Sequence, residues 1–164
     1  MRGFLAPADA DEPYARAMAH RVERTIETAC GREAAFDYVA DFSTTEEWDP
    51  GIPSARRLDD GPVGLGSRFE LVSRFGSTEQ TIVYEITAFD RPNSVTFVGE
   101  GSNFSGTDVI SFAPREGGGT TVRYVADLGL KGLASVAMPF IKGRLDEMSD
   151  RAVAGLRAAL DARA

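Results

Sequence analysis

Cysteine and histidine are almost absent from this chain: Cys30 and His20 are the single examples of each among 164 residues. One cysteine excludes an internal disulfide and a thiolate metal cage. One histidine, at the edge of the patterned region, leaves little imidazole for a Ser/His/Asp triad, a Cys/His pair or a histidine-held metal. Neither a metal nor a cofactor is expected on these counts. No apolar run approaches the roughly 20 residues that a membrane-spanning helix needs, and the opening five residues are too short and too poor in charge for a secretory signal. Positive charge is in deficit, with 18 basic against 25 acidic residues and a net charge of -7. Such a balance offers no field to collect phosphate backbones or anionic lipid, so no nucleic acid partner is expected; with neither a spanning run nor a signal, no stable membrane insertion and a cytoplasmic location are expected. Nothing in the composition sets an oligomeric state.

What is present is ordinary for one globular domain, with 43% hydrophobic and 26% charged residues, and one core is expected. Residues 1–19 carry Pro7, Pro13 and the acidic Asp9, Asp11 and Glu12 without a usable period, which reads as a disordered leader. Either Met1 or Met18 could be the native start. Residues 20–164 form the expected folded domain.

Within it the pattern changes period once. Arg21 to Thr28 alternates, with Val22 and Ile26 on one face and Arg24 sharing their parity. Two short helical stretches follow, the first opened by Gly31 and the second ending at the turn Trp48-Asp49-Pro50-Gly51. A short strand is expected over Ser54 to Asp59. Five longer alternating runs come next, with Phe69 and Leu71, Ile82, Tyr84 and Ile86, Val95 and Phe97, Asp108, Ile110 and Phe112, and Val122, Tyr124 and Ala126 as their one-face sets. Short turns between them predict an antiparallel meander. From Lys131-Gly132 the period becomes 3.6, with Leu133, Val136, Phe140, Ile141, Leu145, Met148, Ala152, Leu156 and Leu160 in the stripe. Pro139 predicts a kink or break near Ser135 to Pro139. One helix covering one apolar sheet face is the simplest α+β arrangement for such a pattern.

This order, strand, two short helices, six strands and a long C-terminal helix, is a helix-grip fold, and the chain resembles the START-like superfamily (SRPBCC) of the Bet v 1 allergens and the polyketide cyclase/dehydrase family. The likeness is carried by Phe36-Asp37-Tyr38-Val39-Ala40-Asp41-Phe42, Glu47-Trp48-Asp49-Pro50-Gly51 and Gly64-x-Gly66-Ser67-Arg68-Phe69. Tyr84-Glu85-Ile86, Gly119-Thr120-Thr121-Val122-Arg123-Tyr124, Lys131-Gly132-Leu133 and Ala152-Val153-Ala154-Gly155-Leu156 extend it to the C-terminus. The resemblance implies a curved seven-stranded antiparallel sheet wrapped around the C-terminal helix, with a ligand cavity between them.

Parity selects the residues that would face that cavity. Asp108 lies with Ile110 and Phe112 on the helix side, where a partly desolvated carboxyl could act as a base or orient a hydroxyl or cationic ligand; at the cavity mouth it would simply be hydrated. A pair with Arg24 would change its chemistry. Tyr84 and Tyr124 could hydrogen-bond a ligand carbonyl and favour enolisation, or pack with their hydroxyls on backbone. Asp108, Tyr84 and Tyr124 are thus the catalytic candidates. Trp48 is placed to close one end of a pocket or to anchor the core; Leu71, Ile110 and Leu145 belong to the expected lining, and Phe69, Phe97, Phe112, Phe140 and Ile141 converge either to complete it or to fill the centre as core. Asp146, Glu147, Asp150 and Arg151 read as the solvated face of the helix, with Glu147 and Arg151 spaced for a surface pair.

The expected function is binding of a hydrophobic or amphipathic small molecule, lipid-like or polyketide-like. Two alternatives stand beside it: a polyketide cyclase or dehydratase working by positioning and acid-base help, and a non-catalytic protein-interaction module.

Overall fold

Residues 19–164 are described by the computed structural model; the leader expected over residues 1–19 lies, except for Ala19, outside them. Seven strands run β1 (Ala19–Thr28), β2 (Ser54–Arg57), β3 (Arg68–Phe75), β4 (Thr78–Asp90), β5 (Ser94–Glu100), β6 (Phe104–Pro114) and β7 (Thr120–Leu130). They form one antiparallel sheet in the order β1-β7-β6-β5-β4-β3-β2. Between β1 and β2 lie α1 (Arg32–Ala40), a 3-10 turn (Phe42–Thr44) and α2 (Thr45–Trp48). The chain closes with a second 3-10 segment (Gly132–Ala137) and α3 (Met138–Asp161), 24 residues long.

The local chemistry explains the boundaries. Asp41 ends α1 and caps the following turn, its Oδ1 accepting from the Ser43 amide at 3.2 Å, the usual way a helix start recovers an orphan donor. Gly119 must be glycine: its φ is +86°, and an added Cβ would sit 3.0 Å from the Ala29 Cα. Along β6 every second residue from Gly106 to Phe112 is buried, so the period-2 reading of that strand holds and Asp108 does point inward.

The C-terminal segment departs from the single stripe. Pro139 falls in the first turn of α3, where a missing N–H breaks no helical bond; the break expected there is a change from 3-10 to α geometry. The two helix types have periods of about 3.0 and 3.6, so a stripe cannot keep its phase across the junction. Met138 takes the buried face, and Ile141, Leu145, Met148, Ala152, Leu156 and Leu160 follow it. Leu133 and Val136, in the 3-10 segment, are exposed at 94% and 70%, and Phe140, two residues past Met138 and so on the opposite face of α3, is exposed at 87%. Phe140, expected to converge on the interior, therefore points to solvent.

The interior divides in two along α3. Toward its C-terminal end, Leu156 and Leu160 are fully buried in a solid core that includes Phe36 from α1 with Ile110, Phe112 and Val122. Phe36 meets Phe89 and Phe112 edge-on at 5.2 and 5.4 Å. Toward its N-terminal end, the half-buried Leu145 and Met148 face the sheet without filling the space beneath them.

Candidate functional site

A void of about 140 Å³ lies under that N-terminal half of α3. The sheet contributes Val22 and Arg24 from β1, Leu71 from β3, Ile82 and Tyr84 from β4, Asp108 from β6, and Tyr124 and Ala126 from β7. Phe42, Trp48, Asp49 and Ile52 wall it on the side of the short helices, and Leu145, Met148 and Ala152 roof it. A void of that size accepts about one aromatic ring.

Two glycines shape its floor. Tyr84 stands opposite Gly99, and Gly99 opposite Gly106, in one row across β4, β5 and β6. A Cβ on Gly99 would be 2.6 Å from Cζ of Tyr84, and one on Gly106 would be 3.5 Å from the Tyr84 hydroxyl. The tyrosine therefore lies flat across two neighbouring strands, and its hydroxyl arrives on β6 two residues from Asp108. Tyr124 stands opposite Ile110, which puts it diagonal to Asp108 on the same face. Phe42 stacks on Phe97 at 4.0 Å and meets Tyr84 edge-on at 5.1 Å, while Trp48 meets Tyr124 at 6.5 Å.

Asp108 is 4% exposed. Burial raises its pKa from 3.8 to about 7, and the negative charges of Asp49 and Asp127 add to the rise; the neighbouring Tyr84 hydroxyl pulls the other way. Burial also raises Asp49, to about 6, against the Gly51 amide that donates to its Oδ1 at 2.8 Å. The hydroxyls of Tyr84 and Tyr124 are held well above the ordinary phenol value, first by burial and then by the charge of Asp108. Two carboxyls and two phenols thus share a mostly apolar enclosure in which charge is costly.

The pair between Arg24 and Asp108 does not form. Arg24 lines the void, but its Nε donates to Asp150 at 2.6 Å and its Nη2 lies 3.9 Å from Asp146. Asp146 also accepts from His20 at 3.0 Å. These acidic residues of α3 are solvent-accessible as expected and also tie the helix to β1; exposed Glu147 and Arg151 form the surface pair, at 3.8 Å.

Of the residues picked by parity, Trp48, Leu71, Tyr84, Asp108, Tyr124 and Leu145 meet at the void. Phe69, Phe97, Ile110 and Phe112 are buried in packed core, and Ile141 is only partly buried. Asp49 is not marked out by sequence alone, because Trp-Asp-Pro-Gly is fully explained as a turn. Its signal is an acidic residue directly after the tryptophan that closes the pocket. Among the described residues no group of three or more His, Cys, Asp or Glu side chains is placed to hold a metal ion, and no helix is long and apolar enough to cross a membrane.

A curved antiparallel sheet gripping a long helix, with a void between them, defines a START-like α+β fold. The chain belongs to the family described as polyketide cyclase / dehydrase and lipid transport, whose model matches residues 19–161. Solved structures agree on the fold. A START superfamily protein from Mycobacterium smegmatis superposes with a TM-score of 0.74 at 19% identity, covering 88% of this chain and 99% of that one. The Zhui aromatase/cyclase from Streptomyces sp. R1128 gives 0.72 at 11% identity, covering 88% and 95%. Protein Ms6760 from M. smegmatis gives 0.63 at 23% identity, covering 88% and 93%. No curated protein matches the sequence.

Proposed function

We propose that this protein binds a hydrophobic or amphipathic small molecule, of lipid or polyketide character, between the sheet and α3. The observation that carries the reading is the convergence of Asp108, Asp49, Tyr84 and Tyr124 on a mostly apolar void. Apolar lining with a few convergent polar groups is the usual composition of a ligand pocket. Membership of a cyclase and lipid-transport family points the same way. The void of about 140 Å³ is below the roughly 300 Å³ at which typical ligand pockets begin, so a larger occupant must displace part of the roof at Leu145 and Met148. Native mass spectrometry of protein purified without denaturant tests the reading: a bound small molecule, extractable into organic solvent, supports it.

A second reading, that the pocket also turns its ligand over, is favoured by one feature. Asp108, with a pKa raised to about 7, populates both its acid and its base form near neutrality, which suits general acid-base catalysis. Tyr84 and Tyr124 would serve as donors to a carbonyl oxygen as enolate character develops. A cyclase or dehydratase acting on a poly-β-ketone chain needs such positioning and proton transfer. Turnover of a poly-β-ketone mimic that disappears in Asp108→Asn, with ligand binding retained, would establish it.

A further inference from the structure

We infer that the occupant of this cavity carries a protonated amine, seated against Asp108 and ringed by aromatic side chains. The inference rests on the cavity being a ligand site and adds the charge of what it takes.

Three observations converge. Asp108 is buried, opens on the void, and forms no ion pair among the described residues; Asp49, half-buried, lines the same void and also forms none among them. Among the described residues the one cation in the lining, Arg24, is already committed to Asp150 and Asp146 on α3 and to the Glu23 carbonyl at 2.9 Å. Five aromatic side chains line the same void: Tyr84, Tyr124, Trp48, Phe42 and Phe104. A carboxylate that has lost its water recovers stability from a cation bound at hydrogen-bond distance. Aromatic faces add attraction to an ammonium through their quadrupoles and offer little to a carboxylate or an alcohol. Aromatic walls and unpaired buried carboxyls therefore select for the same group. The remaining lining, Val22, Leu71 and Ile82 among it, takes an apolar body. An amphipathic amine satisfies both halves.

The experiment is isothermal titration of the full chain with octylamine, octanol and octanoate at pH 7.5, repeated with Asp108→Asn. Octylamine should bind about tenfold or more tightly than octanol, since a charge-assisted hydrogen bond replaces a neutral one, and octanoate should bind weakest. In the variant the preference of amine over alcohol should collapse toward unity. Equal binding of amine and alcohol by the wild-type protein would overturn the inference while leaving the cavity as a ligand site. Binding of none of the three would overturn the cavity reading itself. If the variant does not fold, the wild-type ranking alone decides.

Discussion

The ring of Tyr84 lies over Gly99, its cross-strand neighbour, so closely that a single added methyl carbon would fall 2.6 Å from Cζ. The position of the Tyr84 hydroxyl beside Asp108 depends on that missing side chain. Gly99→Ala must lift the ring or bend β5, and overpacking of this kind costs about 1–3 kcal/mol. Urea denaturation should show the loss. The double variant with Tyr84→Ala, which removes the clashing ring, should lose less than the sum of the two single changes.

Asp108 makes stability depend on pH in an unusual direction. Its pKa is higher folded, at about 7, than the ordinary 3.8, so the folded protein binds the extra proton between those values. Stability is therefore greatest at the acid end of that window and falls as pH rises toward 7. The limiting penalty above pH 7 is on the order of 4 kcal/mol. Asp49, raised to about 6, acts with the same sign over a lower and narrower range. Wild-type Tm should drop between pH 5 and pH 8 by more than that of Asp108→Asn, and the variant should be the more stable of the two at pH 8. A wild-type Tm that climbs over this range while the variant's stays flat would show that the carboxyl is stabilised as an anion.

The exposed phase of the C-terminal segment gives a contrast between two apolar residues. Phe140 is 87% exposed and Leu156 is fully buried. Phe140→Ser should change stability by no more than about 0.5 kcal/mol, whereas Leu156→Ala should cost about 2–5 kcal/mol. Thermal melts of both variants check the assignment of phase.

Gly155 is the point where α3 meets the short helices. An added Cβ would overlap the Trp48 carbonyl oxygen and lie 2.9 Å from the carbonyl carbon, and backbone cannot move aside as a flexible side chain can. Gly155→Ala should therefore destabilise despite alanine's better helix propensity. Circular dichroism melts should show a lower Tm, with Trp48 fluorescence shifted as its environment opens.

How far these features could be read in the sequence depended on whether one period decided them. Alternation along β6 and β7 placed Asp108 and Tyr124 inward without any knowledge of partners, and the order of elements was enough for the helix grip. Phe140 is inside α3, two residues and so about 200° round the helix from buried Met138; adjacent Phe140 and Ile141 cannot both face the sheet, and hydrophobicity alone does not say which of the two does. Arg24 was on the right face, but parity is blind to α3, whose Asp146 and Asp150 claim it. Asp49 looked like a turn residue because it is one, its carboxylate accepting from Gly51. The bed of Gly99 and Gly106 beneath Tyr84 required the register across three strands, which no single strand contains.

The central claim, that the space under α3 holds an apolar ligand, is tested most directly by filling it. Ala126 is buried at the void on β7, and Ala126→Trp should occupy the volume that a ligand would take. Calorimetric titration of octanol into wild-type protein should give saturable one-to-one binding, lost in a variant whose circular dichroism remains that of the folded protein. Binding of equal strength and stoichiometry in the filled variant would contradict the account.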